Sequence, residues 1–199
     1  MRITPETYYR LERESPDKHD YLDGIMYPSP TQGGTSRHSL IIVNLLGEIG
    51  KRLKGHRCCV YESSLRLCVK STGLRTYPDV AIYCDELHLD DEDEFGETPT
   101  NPFIVFEVLA KGVEGYERGV KAVHYRRVDS LHGYVLVSQD RPHAEVNARL
   151  RGDSWEMKDV IGLEAKLALA GLEIEVPMVE VYDRIEFPTF SPPLPISSS

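Results

Sequence analysis

Long apolar runs are missing from this sequence. No stretch approaches the ~18 residues that a membrane-spanning helix needs, and no basic segment followed by an apolar one opens the chain as a secretory signal would. These absences point to a cytoplasmic protein with no membrane partner. No internal repeat is visible either, so the chain is not an array of small units. Cysteine is scarce: Cys58, Cys59, Cys68 and Cys84 include a vicinal pair but no C-x-x-C, and all lie in apolar, strand-like settings. The expectation is free structural thiols rather than zinc ligands or disulfides. Basic charge is also short, with a formal net charge of −9. That argues at first against nucleic acid, whose binding is mostly electrostatic. Yet Asp85, Glu86, Asp90, Asp91, Glu92, Asp93, Glu94 and Glu97 fall in one stretch without Lys or Arg, and the remainder is close to neutral. The stretch lacks the spacing and central glycine of an EF-hand loop, so it reads as a solvated linker.

What is present suffices for a single globular domain: 199 residues with 41% hydrophobic content can bury a substantial core. The domain is expected over residues 1–187, followed by a Pro- and Ser-rich tail over 188–199. The organising stretch is Asn101-Pro102-Phe103-Ile104-Val105-Phe106-Glu107-Val108-Leu109, an apolar run that reads as a central strand buried on both faces. Period-two alternation puts Phe103, Val105, Glu107 and Leu109 on one face and Ile104, Phe106 and Val108 on the other. A carboxylate among hydrocarbon requires a cation, strong donors or a raised pKa. A second acid, Asp79, stands at the start of another apolar strand, where Pro78 can begin a ladder but not continue one. Antiparallel pairing of the two strands would bring Asp79 and Glu107 together. Two such carboxylates outline a hard-cation site, as Mg²⁺ takes one or two protein carboxylates and keeps positions for water and phosphate.

Around these strands, Thr4 caps a short helix with Pro5 in its first turn and Ile3 packed on Tyr8. The helix ends near Ser15-Pro16, and Asp23-Gly24 turns a hairpin. After the connection Pro28-Ser29-Pro30-Thr31-Gln32-Gly33-Gly34, Ser36 or Thr35 caps a helix to about Lys54 with Leu40, Val43, Leu46, Ile49 and Leu53 as its core face. Short antiparallel strands over 57–61 and 65–69 lead to the Asp79 strand, with Glu62 read as a loop acid. A helix over about 114–127 presents Val113, Tyr116, Val120, Val123 and Arg127 as one stripe. Lys121 sits about 100° off it, at the border of core and solvent. A strand at 134–137, a hairpin over 144–160 turned at Arg151-Gly152-Asp153, an edge at 172–176 and one helical turn at 177–182 complete the scaffold, and Trp155 packs.

Pro78-Asp79-Val80 paired with Phe106-Glu107-Val108-Leu109, then Glu114-Gly115-Tyr116-Glu117-Arg118-Gly119-Val120-Lys121 and Tyr125, resembles the Uma-type restriction-endonuclease family, long catalogued as a domain of unknown function. The resemblance spans residues 4–182 and takes in Tyr21-Leu22-Asp23-Gly24, His38 and the 131–137 strand. It implies the PD-(D/E)XK fold: α/β (α+β), with a restriction-endonuclease-like mixed, centrally antiparallel sheet flanked by helices. It also implies a metal-dependent endonuclease acting on phosphodiester bonds of nucleic acid, DNA before RNA, and a homodimer. By the same resemblance Asp79 and Glu107 hold Mg²⁺ or Mn²⁺, with the Val108 carbonyl as a further ligand. Asp20 takes the place of a family Glu that completes the cluster, or is an exposed strand-edge acid. Lys121 stands where the family's lysine comes from the helix rather than from the strand position held here by Leu109. Its bland alternative is an ion pair with Glu117 one turn back. His38 matches a family His near the cleft, or is a local hydrogen-bonding residue. Arg118, Lys121, Arg126 and Arg127 form a basic run suited to phosphate or to solvent. The family's Ser-Pro-Ser-Thr after the strand is Ala110-Lys111-Gly112-Val113 here, which removes hydroxyls from the cleft. The alternative function is a catalytically silent nuclease fold that binds nucleic acid or protein.

Overall fold

The computed structural model describes residues 2–29, 34–109 and 115–187. The 110–113 departure, Glu114 as a helix start, part of the connection after Pro28 and the 188–199 tail lie outside those residues. The order is α1 (Pro5–Glu14), β1 (His19–Leu22), β2 (Ile25–Pro28), α2 (Ser36–Arg52), β3 (Cys58–Glu62), β4 (Leu67–Val69), β5 (Leu74–Thr76), β6 (Val80–Cys84) and β7 (Ile104–Leu109). A π-helical turn (Tyr116–Lys121) then runs into α3 (Ala122–Tyr125), followed by β8 (Gly133–Ser138), β9 (His143–Arg149), β10 (Trp155–Ile161), β11 (Lys166–Ala168), β12 (Glu175–Pro177) and α4 (Met178–Val181). Six strands make the main sheet in the order β10-β9-β8-β7-β6-β3, and β2-β1-β5-β4 make a second. In the main sheet β7 and β8 are parallel, while the other neighbours are antiparallel.

Alternation along β6, β7 and β8 divides the core into two layers. Val80, Ile82, Ile104, Phe106, Val108, Val135 and Val137 pack with α2 and α4 on one face. Ala81, Tyr83, Val105, Leu109, Tyr134 and Leu136 pack with α3 and the β4–β5 hairpin on the other. Burying each such large apolar side chain contributes about 1.5–3 kcal/mol, so β7, whose six residues are all buried, is among the most strongly held strands. The α1 cap is as the sequence predicts, with Thr4 accepting from the Thr7 amide at 3.3 Å. Asp23 and Gly24, at φ 51° and 80°, turn the β1–β2 hairpin. A Cβ at Gly24 would also lie 2.8 Å from the Arg2 Cβ, so glycine is required there twice over.

Three expectations are corrected. On α2 the buried stripe is His38, Ile41, Leu45 and Ile49, while Val43 is 59% exposed. Ile49 and Leu53 are buried as expected, but toward the helix start apolar positions spread around it, and the sheet selected a stripe displaced from Leu40, Val43 and Leu46. Cys58 and Cys84 are not free thiols; they sit opposite one another across β3 and β6 and are joined as a disulfide. Cys59 and Cys68 remain reduced, and burial pushes the Cys68 thiol up to about 12.

The third correction concerns the acidic stretch, which is not a solvated linker. Asp90 and Asp93 are buried. Asp90 Oδ2 accepts from Tyr9 Oη at 2.5 Å and pairs with Arg75 at 2.8 Å, and Glu92 also pairs with Arg75. Arg10 meets Glu94 at 2.6 Å, Arg13 meets Glu97 at 3.0 Å and Lys70 meets Asp91 at 2.7 Å. The compensating cations come from α1 and the β4–β5 hairpin, far away in sequence. Burial opposes the Asp90 charge, but the Tyr9 hydroxyl and Arg75 outweigh it and hold the carboxyl below its ordinary value of 3.8. A folded pKa below the unfolded one adds stability above the unfolded pKa and loses it as pH falls through the folded pKa. Denaturation midpoints measured downward from pH 5 should therefore fall more steeply in wild type than in Asp90→Asn, and parallel curves would remove Asp90 as an acid-labile anchor.

Candidate active site

The β6–β7 register pairs Val80 with Phe106, so the next step along the ladder sets Asp79 beside Glu107. Asp79 Oδ2 accepts the Val108 amide hydrogen at 2.7 Å, a bond that ties the strand start to its neighbour. His38, in the first turn of α2, places Nε2 3.3 Å from the same oxygen. Burial opposes a charge on His38, but its bond to Asp79 and the Asp79 and Glu107 charges prevail, so its pKa is raised. Thr35 caps α2 through the His38 amide and donates its hydroxyl to Gln139 Oε1 at 2.7 Å, while Gln139 Nε2 donates to the Leu109 carbonyl at 2.9 Å. One short chain of bonds thus connects the α2 start, the end of β7 and the segment after β8.

Glu107 is fully buried, on the face predicted by alternation. Its Oε1 accepts from Lys121 Nζ at 2.9 Å and from Tyr125 Oη at 2.8 Å. The other oxygen, Oε2, has no hydrogen-bond partner among the described residues. Burial drives the Glu107 carboxyl up to about 7; the Lys121 charge opposes this and the Asp79 charge adds to it. Burial works against the Lys121 ammonium, yet Glu107, Asp20 and Asp79 together raise its pKa, so it stays protonated. Asp20, buried in β1, accepts from Tyr116 Oη at 3.2 Å. Its pKa is raised by burial, with Lys121, Thr76, Ser29 and Tyr116 pulling the other way.

The helix that carries Lys121 corrects the expected stripe. Val120 and Val123 are 41% and 59% exposed, whereas Glu117, Lys121, Ala122 and Tyr125 are buried. The π-helical turn over Tyr116–Lys121 changes the phase of the segment, since it adds a residue to the hydrogen-bonded ring. Tyr134 Oη steadies it by donating to the Glu117 carbonyl at 2.8 Å. Lys121 and Tyr125, four residues apart, therefore descend together onto Glu107. In the sequence Tyr125 stands out only through the resemblance, although the i, i+4 spacing from Lys121 is the signal that assigns it. The border position predicted for Lys121 becomes full burial.

Of the basic run, Arg118 engages Glu145 and Arg126 donates to Asn147 Oδ1 at 3.1 Å, both on β9, while Arg127 is exposed. The exposed-edge alternative for Asp20 is excluded by its complete burial, and His38 is brought to the cluster rather than turned away from it. Asp20 is not grouped with Asp79 and Glu107 as tightly as a three-ligand cage. Among the described residues, no His, Cys, Asp or Glu trio from this site has ligand atoms mutually within 4.8 Å.

An acid just before β6 and one within β7, on adjacent antiparallel strands of a mixed sheet with helices on both faces, fit a restriction-endonuclease-like fold. A crystal structure described as a putative nuclease belonging to DUF820, from Anabaena variabilis, superposes on 90% of this chain and 97% of its own with a TM-score of 0.69. At 14% identity that likeness concerns the fold. The Uma2 family profile, described as "Putative restriction endonuclease", matches residues 5–178, and the chain belongs to that family. An uncharacterized protein of Synechocystis sp. is 34% identical over 154 residues, covering 77% of this chain and 78% of the relative. A second uncharacterized Synechocystis protein is 22% identical over 172 residues, covering 86% and 95% respectively.

Proposed function

We propose that this protein is a metal-dependent endonuclease that hydrolyses phosphodiester bonds, with DNA as its substrate and Mg²⁺ or Mn²⁺ as its cofactor. The observation that carries the reading is the fully buried Glu107, which gives one oxygen to Lys121 and Tyr125 and leaves Oε2 without a partner among the described residues. An orphaned carboxylate oxygen beside Asp79 suits a hard divalent ion, which takes one or two protein carboxylates. Asp79 and Glu107 would hold it; the hydrogen bond between the Val108 backbone and His38 competes with a third ligand from the Val108 carbonyl. A bound ion supplies Lewis acidity toward a phosphate oxygen and lowers the pKa of its water.

The protein's own residues do the rest. Lys121 brings a fixed positive charge that stabilises the extra charge of the pentacoordinate phosphate in a dry environment. Tyr125 holds the Glu107 rotamer, and Asp20 keeps Lys121 charged and oriented. His38 and the Val108 amide orient Asp79. Arg127, with Arg118 and Arg126 released from their sheet partners, contacts the phosphate backbone outside the reacting centre.

Calorimetric titration with Mn²⁺ tests the metal site. Binding is expected in wild type and at least ~10-fold weaker in Asp79→Ala and in Glu107→Gln, a loss that even an outer-shell change at a metal site reaches. Unchanged affinity in both variants would place the ion elsewhere. Nicking of supercoiled DNA in Mn²⁺, with Glu107→Gln as the blank, tests the reaction. No cleavage above that blank on DNA or RNA would favour the binding-only reading, in which Ala110-Lys111-Gly112-Val113 marks a lost active loop.

A further inference from the structure

The main sheet carries a second group of ligating side chains in the same row as Glu107, with Glu145 two strands from it across Leu136. His143 and Glu145 lie two residues apart on β9 and so share one face, and the register sets Asp159 of β10 directly opposite Glu145. One ligand atom from each lies within 4.8 Å of the other two, the one trio of His, Cys, Asp or Glu to converge in this way among the described residues. His143 Nε2 is 2.7 Å from Asp159 Oδ1. The Tyr182 hydroxyl bonds both backbone groups of His143, at 3.2 Å to its nitrogen and 2.9 Å to its carbonyl oxygen. The His143 backbone is thereby anchored on a rigid element and Asp159 holds its imidazole, as a preorganised ligand should be. Beside the trio is a surface cavity of about 540 Å³, bordered also by Arg141 and Met157.

Ordinary ion pairing accounts for only part of this arrangement. His143 with Asp159 is one pair and Glu145 with Arg118 another. Neither requires the two carboxylates to lie within 4.8 Å of each other and of the imidazole, since like charges opposite one another across a ladder are unfavourable. A cation bound between them would remove that cost. One nitrogen and two carboxylate oxygens, with an open side toward the cavity, match the donor set and vacant position of zinc-type sites. Magnesium and calcium prefer oxygen alone, whereas imidazole selects for zinc, cobalt and nickel.

We propose that His143, Glu145 and Asp159 form a second metal site, selective for a divalent transition ion of the zinc class and separate from the Asp79–Glu107 pair. Arg118 is its competitor, because the guanidinium engages Glu145 and repels an incoming cation. Occupancy of the site releases Arg118, which lies on the π-helical turn three residues before Lys121.

The test uses the full chain carrying Asp79→Ala, so that the other carboxylate pair does not dominate. Zn²⁺ binding is followed by calorimetry, and Co²⁺ binding by its visible absorption, which reports ligand type and geometry. The parent is expected to bind one equivalent of each. His143→Gln and the half-exposed Asp159→Asn should each weaken Zn²⁺ by ~10-fold or more, and Arg118→Ala should tighten it. Zn²⁺ should raise the melting temperature of the parent and not that of His143→Gln. Equal Zn²⁺ affinity in the parent, His143→Gln and Asp159→Asn would overturn the proposal, as would an Asp79→Ala parent that binds neither ion. If His143→Gln fails to fold, Asp159→Asn alone decides between the same outcomes.

Discussion

Glu107→Ala should cost the fold about 3–5 kcal/mol, because it strands the Lys121 ammonium in a site closed to water. Breaking a buried pair by removing one partner is far more costly than replacing both. The double variant Glu107→Ala, Lys121→Met should therefore recover part of the loss, since the stranded ammonium is gone while Asp20 and Asp79 lose their shared cation. Urea unfolding of wild type, both single variants and the double variant yields the coupling energy directly. The Tyr125 hydroxyl also loses its acceptor when Glu107 is removed, so Glu107→Gln, which keeps a carbonyl oxygen in place, should be milder than Glu107→Ala. A stability loss below ~1 kcal/mol for Glu107→Ala would mean that water reaches Lys121, contrary to its burial.

Lys121→Met should lower the cleavage rate by ~10²-fold or more, the usual effect of removing one donor that acts on charge developed in a transition state. Methionine keeps the chain length and much of the volume, so the buried site stays filled while the charge is lost. The Glu107 carboxyl, already driven up to about 7, then has one fewer reason to ionise. A divalent ion supplies that reason again, so Mn²⁺ affinity should fall much less than the rate. The measurement is a pair: nicking of supercoiled DNA at saturating Mn²⁺, and calorimetric titration of the same preparation. Cleavage at the wild-type rate would remove Lys121 from the reaction. Equal losses of rate and of affinity would make it a support for the metal ligands alone.

Full burial of Lys121 gives these two effects a common origin. Three acids, Asp20, Asp79 and Glu107, face one ammonium in a region of low exposure. Such a set is costly in the absence of ligand, and a divalent cation or a phosphate changes its charge balance. Asp79 and Glu107, which a purely structural core would replace with hydrocarbon, are thus held at the start of β6 and within β7, two strands buried along their whole length. The rigidity of those strands is what a reacting centre needs.

How much of this was legible in the chain differs from element to element. The apolar run around Glu107 and the Pro78-Asp79 strand start were readable because period-two alternation and the missing proline donor act locally. Their antiparallel pairing followed from the length between them, and the structure has it. The hairpin at Asp23-Gly24 and the Thr4 cap were readable for the same local reasons. The stripes on α2 and on the Lys121 segment were not, since apolar residues occupy more than one face of each and only the opposing sheet selects among them. A π-helical turn shifts the phase of a segment without altering its composition, so Val120 and Val123 faced outward against expectation.

Sequence by itself determined where the central strands run, which face the side chains of the Glu107 strand take and where two carboxylates could meet, because these depend on neighbours within a few residues. The tertiary structure alone decided which charges are neutralised and by what. Arg75 reaches Asp90 and Glu92, Tyr125 joins Lys121 on Glu107, Cys58 meets Cys84, and Asp159 arrives opposite Glu145. Each of these depends on register and packing between segments remote in the chain, and the energy of a charge is set by the solvent and partners around it rather than by its place in the sequence.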